Sequence, residues 1–285
     1  MLTDRDERIL QTVRHFRYMT ALDICHALFS PNSISHVREL LTKLSGGKDK
    51  HDNQFLYRFS MPKARTGNSE RVYTLGAKGR DLLRNEGYNV NWYYRPYKEA
   101  DRTYSFLYHA LSITRFCVSA DFWTKRQKAV EVRNTTAYRL YEERTLLDQL
   151  VVVPDAFLVF TFNPGVFPVL LEIDCATEGQ MQFKRMLAAR IEFFRSGNYE
   201  RFFRQKAGNV CYVVTGNSHG ERLARMNALI RWTMELLKEQ NMERWAETFK
   251  FSQVDFDAMY ACELFENEVW KIGNRAPPAK LFARG

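Results

Sequence analysis

The sequence predicts an α/β protein of two domains, and three observations carry that prediction. Its 285 residues are long for one ordinary domain and comfortable for two. Near the amino terminus three short stretches of helical periodicity precede two alternating apolar segments separated by a basic loop. Farther along, apolar runs of strand length alternate with amphipathic helical stretches, the pattern of a mixed sheet with helices on both faces.

Composition narrows the class. Apolar residues make up 45% and charged residues 26%, so the chain is neither disordered nor fibrous. No apolar window approaches the roughly 18 residues of a membrane span, and the first residues are charged where a signal peptide is apolar, so a cytoplasmic protein without a membrane partner is expected. The five cysteines are far apart and form neither a zinc framework nor a disulfide pattern. The net charge is +9, and residues 1–100 hold 17 Lys and Arg against 11 Asp and Glu. A basic excess concentrated there favours a polyanionic partner, double-stranded DNA above all.

The first helix starts at Thr3, where Thr3-Asp4-Arg5-Asp6 has the form of a capping box and Ile9, Leu10, Val13 and Phe16 follow at helical spacing. Thr20 to Asp23 repeats the signal for a short second helix, stopped at Ser30-Pro31-Asn32. Ile34, Val37, Leu40, Leu41 and Leu44 line the inner face of a third. Ser35, His36, Arg38 and Lys43 are thereby left on its outer face. Residues 54–60 and 72–75 alternate as strands, and the loop between them carries Lys63, Arg65 and Arg71. Three helices, a hairpin with a basic tip and a further helix is the order of a winged helix-turn-helix over residues 1–86. In that fold the third helix enters the major groove and the wing touches phosphates.

Residues 87–103, rich in Tyr and Trp beside Arg95 and Lys98, read as an aromatic linker. Aromatics beside arginine can stack unpaired bases, although such linkers more often pack against their domains. Residues 104–275 read as helix, strand, strand, strand, helix, strand, helix, with 249–251 and 265–272 as edge strands. A mobile tail, 276–285, closes the chain.

The most informative stretch runs from Leu150 to Phe194. Val151 to Phe160 is a strand-like run containing Asp155, and Phe167 to Asp174 is a second, central strand with an acidic end. Period two puts Glu172 and Asp174 on one face and Ile173 on the other. A helix follows with Phe183, Leu187, Ile191 and Phe194 as its buried stripe, and Lys184 early in it is expected to reach the acidic strand end. Asp155, Glu172 and Asp174 together are the hard-oxygen set that Mg²⁺ or Mn²⁺ requires for phosphodiester cleavage, with a lysine to offset phosphate charge. For any one of these carboxylates a solvated strand end is the plainer reading.

Pro154-Asp155, Glu172-Ile173-Asp174, Thr177-Glu178, Lys184 and the upstream Glu142-Glu143-Arg144 resemble the replication-relaxation family of plasmids and mobile elements. The resemblance runs from about residue 3 to about residue 240. It implies a winged helix joined to a domain resembling the PD-(D/E)XK nucleases, with Glu143 as an extra acidic position and Glu142 as its neighbour. That pattern wants a lysine two residues after the glutamate, where this chain has Asp174; Lys184 stands as a migrated substitute. Two functions follow as expectations. One is a metal-dependent endonuclease or nickase using Asp155, Glu172, Asp174, Glu143 and Lys184. The other is a non-enzymatic factor that binds an origin or element end and uses the nuclease-like fold for recruitment or homodimerisation, with other replication, mobilisation or transposition proteins as partners.

Overall fold

The computed structural model describes residues 2–46, 54–62, 70–91, 94–127, 129–142, 152–176, 178–206, 208–216, 218–273, 275 and 277–282. The chain forms two compact units, residues 1–118 with 138–144, and residues 119–137 with 145–285.

In the first unit, α1 (Asp4–Phe16) opens at the expected box: Thr3 Oγ1 accepts from Asp6 N at 3.3 Å, and the Asp6 carboxylate accepts from Thr3 N at 3.0 Å. These bonds satisfy backbone donors that the first helical turn leaves without partners. Thr20 and Asp23 build the same device for α2 (Ala21–Leu28), which follows the short β1 (Met19–Thr20). Then α3 (Ile34–Leu44) buries Val37, Leu40, Leu41 and Leu44. The strands β2 (Leu56–Ser60) and β3 (Arg71–Leu75) pair antiparallel, and β1 joins the free side of β3. In α4 (Ala77–Asn85), Gly79 lies so close to the strand that a Cβ would stand 2.1 Å from the Phe55 carbonyl oxygen, an approach only glycine allows.

The core of this unit extends past residue 86. Tyr94 donates its hydroxyl to the Leu75 carbonyl at 2.9 Å. Glu99, at the end of α5 (Pro96–Glu99), is buried and receives Arg17 at 3.0 Å and the Tyr18 hydroxyl. Within α6 (Tyr104–Arg126), Arg115 is buried against Asp23 at 3.5 Å and Glu70 at 3.1 Å. The aromatic stretch thus packs on the first unit through Tyr94.

The second unit contains a six-stranded sheet. Along the chain after α6 come β4 (Val130–Thr136), α7 (Ala137–Glu142), whose residues from 138 on belong to the first unit, then β5 (Ala156–Phe162), β6 (Gly165–Asp174), α8 (Gln180–Arg195), α9 (Asn198–Phe203), β7 (Asn209–Val214), α10 (His219–Glu239), β8 (Phe249–Gln253), α11 (Glu263–Glu266) and β9 (Lys271–Ile272). The strand order is β4-β5-β6-β7-β8-β9; β6, β7 and β8 are parallel and the other pairings antiparallel, so the sheet is mixed as expected. Phe183, Leu187 and Ile191 of α8 and Met226 and Leu229 of α10 share one core cluster with Leu170, Tyr212 and Phe251. Facing the opposite side, Phe160 meets Trp123 of α6 at 6.3 Å.

Four expectations differ from the structure. Asp155 precedes β5 instead of lying within it, its main chain tied to Leu171 and Ala137. Residues 249–253 form β8 inside the sheet, because β9 covers its outer side. The tail packs through its described residues: Leu281 is buried and Phe282 stacks on Trp123 at 5.1 Å. Leu223, read as part of the α10 stripe, is 39% exposed, while Arg222 is buried.

Candidate functional site

Two charged regions are candidates. In the first unit, Ser35, His36, Arg38 and Lys43 are all exposed, because the apolar residues of α3 turn the opposite way into the core. Arg71 is exposed at the start of β3, and Arg58 stands opposite Tyr73 on β2. Burial raises the Tyr73 hydroxyl pKa, and the fields of Arg58, Arg71 and Arg38 oppose that rise. Arg58 of β2 is thus in register with Tyr73, and Arg38 of α3 and Arg71 of β3 lie near enough for their charge to act on the same hydroxyl. Lys63 and Arg65 lie outside the described residues.

In the second unit, the carboxylates occupy neighbouring positions at the junction of β5 and β6. Asp155 Oδ2 accepts from the Ile173 N–H at 2.8 Å, which sets Asp155 beside the peptide linking Glu172 to Asp174. Glu172 and Asp174 face the helical layer, as period two requires, and both are buried. Arginines meet them there. Arg190 of α8 bonds Glu172 through Nε at 2.7 Å and Nη2 at 2.5 Å. Arg225 of α10 bonds both oxygens of Asp174, at 2.9 and 2.7 Å, and Ala176 N donates to the same carboxylate at 2.8 Å. Burial works against the Arg190 charge, yet Glu172 outweighs it and raises the guanidinium pKa, with Asp155 adding to the effect. Burial, with the fields of Asp174 and Asp155, pushes the Cys175 thiol up to about 12.

Lys184 does not reach this cluster. It points to α10, bonding Glu235 at 3.0 Å and Glu239 at 3.2 Å. Glu143 lies outside the described residues. Among the described residues, no three carboxylate, thiol or imidazole groups are arranged to hold an ion. With their oxygens engaged by guanidinium groups, Glu172 and Asp174 as placed do not fit a Mg²⁺ or Mn²⁺ shell.

The sequence pattern singles out neither arginine, although Arg190 leaves a trace. It stands three residues after Leu187 and seven after Phe183, on the apolar stripe of α8, where a charge requires a buried partner. Arg225 left less, since it borders the α10 stripe without lying at its centre.

The replication-relaxation family model matches residues 10–207. The chain belongs to the replication-relaxation family. The matched segment includes the α3 face, Asp155, Glu172, Asp174, Lys184 and Arg190, whereas Arg225 lies beyond it. No curated protein and no solved structure matches the chain. No helix among the described residues is long and apolar enough to cross a membrane.

Proposed function

We propose that this replication-relaxation protein is a DNA-binding accessory factor of plasmid or mobile-element replication. Its first unit acts as a winged helix-turn-helix, presenting α3 to the major groove and the β2–β3 hairpin to the backbone. The outward face of α3 carries this reading: Ser35, His36, Arg38 and Lys43 are all exposed there, and Arg71 is exposed on the hairpin strand β3, the placement that groove and phosphate contact requires. The second unit, in this reading, has the architecture of a PD-(D/E)XK domain and serves as a recruitment or homodimerisation surface for other replication, mobilisation or transposition proteins. Its acidic positions are neutralised internally by Arg190 and Arg225. Fluorescence anisotropy of a labelled duplex, read across a salt series, tests DNA binding. A flatter salt dependence in an Arg38→Ala/Arg71→Ala chain supports it, and unchanged binding refutes it.

One observation favours a metal-dependent endonuclease or nickase instead: Asp155 is bonded to the strand segment that carries Glu172 and Asp174. For that function the arginines would have to release the two carboxylates to Mg²⁺ or Mn²⁺. Thermal melts with and without Mn²⁺, run beside a plasmid-nicking assay, discriminate. The accessory-factor reading expects no metal shift in the wild type and no nicking, while a shift abolished by Asp155→Ala, with nicking, establishes the nuclease.

A further inference from the structure

At the amino ends of β7 and β8, away from the strand ends that carry Asp174, the second unit has a cavity of about 340 Å³. It is framed by the last turn of α8, the start of α9, the segment entering β7 and the 3₁₀ turn Glu243–Thr248. Its size is that of a small-ligand site.

The lining is chemically selective. Phe194 stacks on Tyr199 at 4.4 Å and meets Trp245 edge-on at 5.9 Å, so a continuous aromatic wall lies along one side. Gly208 is required for this wall, because a Cβ there would stand 2.2 Å from the Tyr199 hydroxyl oxygen. Lys206 and Arg244 border the same cavity, both exposed, and neither has an ion-pair partner among the described residues. Arg190, Arg222 and Arg225 of this unit are, by contrast, all paired with carboxylates. Glu200 adds one acceptor at the rim.

We infer that this cavity binds a single nucleotide unit, with the base against Trp245, the phosphate between Lys206 and Arg244, and Glu200 accepting from an exocyclic amine. Aromatic stacking and cationic clamping are complementary: the ring gains contact with any base face, and the paired cations take the phosphate. A carboxylate at the rim disfavours a bare polyanion and suits a ligand that also donates hydrogen bonds. A volume of about 340 Å³ admits one nucleotide and excludes a stacked duplex. The same chemistry is offered by a free nucleoside monophosphate and by the unpaired, phosphate-bearing end of a DNA strand.

The test uses the full chain carrying ¹⁵N-labelled tryptophan, in an Arg38→Ala/Arg71→Ala background that weakens duplex binding by the first unit; the Trp245 signal then reports on the cavity itself. Trp245→Phe identifies the Trp245 indole signal. Deoxyadenosine monophosphate, inorganic phosphate, a 5′-phosphorylated single strand and a blunt duplex are titrated separately. The expected result is a saturable shift of the Trp245 signal with the monophosphate and the single strand, and none with the duplex. Lys206→Ala/Arg244→Ala should weaken it about tenfold or more, with an unchanged melting temperature. Half-saturation by the strand at a much lower concentration than the monophosphate identifies a strand end as the source, and the reverse order identifies the free nucleotide. No Trp245 shift, saturation by inorganic phosphate as readily as by the monophosphate, or wild-type affinity in the double variant overturns the inference.

Discussion

The two units of this protein use arginine in opposite ways. On the α3 and hairpin face of the first, Arg38 and Arg71 are exposed and have no ion-pair partner among the described residues. In the second, Arg190 is buried against Glu172, and Arg225 is bonded to Asp174. A solvated guanidinium holds its charge ready for a phosphate and loses little when the phosphate leaves. A buried one is fixed by its carboxylate, and separating the two leaves an uncompensated charge in a poorly solvated place. The same residue type therefore marks a binding surface in one unit and an internal brace in the other.

The sharpest way to break this contrast is at the Glu172–Arg190 pair. Glu172→Ala should cost about 3–5 kcal/mol in urea unfolding, because Arg190 remains buried without its carboxylate. The double change Glu172→Leu/Arg190→Met should recover most of that loss. A single-variant cost below about 1 kcal/mol would mean that water or another group replaces Glu172 readily, contrary to its internal role.

Asp121 provides a smaller effect of opposite sign. Burial raises its carboxyl to about 6, despite Lys125 and the Asn134 amide, which donates at 3.1 Å. The folded chain therefore holds this proton more tightly than the unfolded one. The stability it supplies is complete below about pH 4, is lost as pH rises through about 6, and changes no further above that. Asp121→Asn should accordingly gain about 3 kcal/mol over wild type by pH 7 and little at pH 4, read from urea midpoints at both values. A gain independent of pH would assign the effect to packing alone.

On the exposed face, removing Arg38 or Arg71 should leave stability within about 0.5 kcal/mol of wild type. Each loss of a phosphate contact should flatten the log–log salt slope of duplex binding by roughly 0.9. Changes at Ser35 or His36 should instead alter sequence preference at a constant slope, measured on a panel of duplexes. The smallest expected effect separates the two capping boxes of the first unit. Thr20→Ala, at a buried cap, should cost about 1 kcal/mol, and Thr3→Ala, at an exposed helix end, less. Equal losses in thermal melts would show that burial does not strengthen the cap.

By itself the sequence determined what depends on neighbours along the chain. Thr3 and Asp6, or Thr20 and Asp23, meet within one helical turn, so their spacing is enough to mark a start. Period two puts Glu172 and Asp174 on one face whatever packs against it, and the apolar spacing of α3 turns Arg38 and Lys43 outward. Tertiary structure decided which charges meet. Asp155 reaches the Ile173 N–H across a strand pairing, and Arg225 reaches Asp174 from a helix 51 residues away. Lys184 was free, on sequence grounds, to serve the acidic strand end, yet the packing of α10 beside α8 offers it Glu235 and Glu239. The outcome turned on side-chain reach and on where Arg190 and Arg225 come to lie, and both are set by how helices dock on a sheet, which the local pattern of residues does not encode.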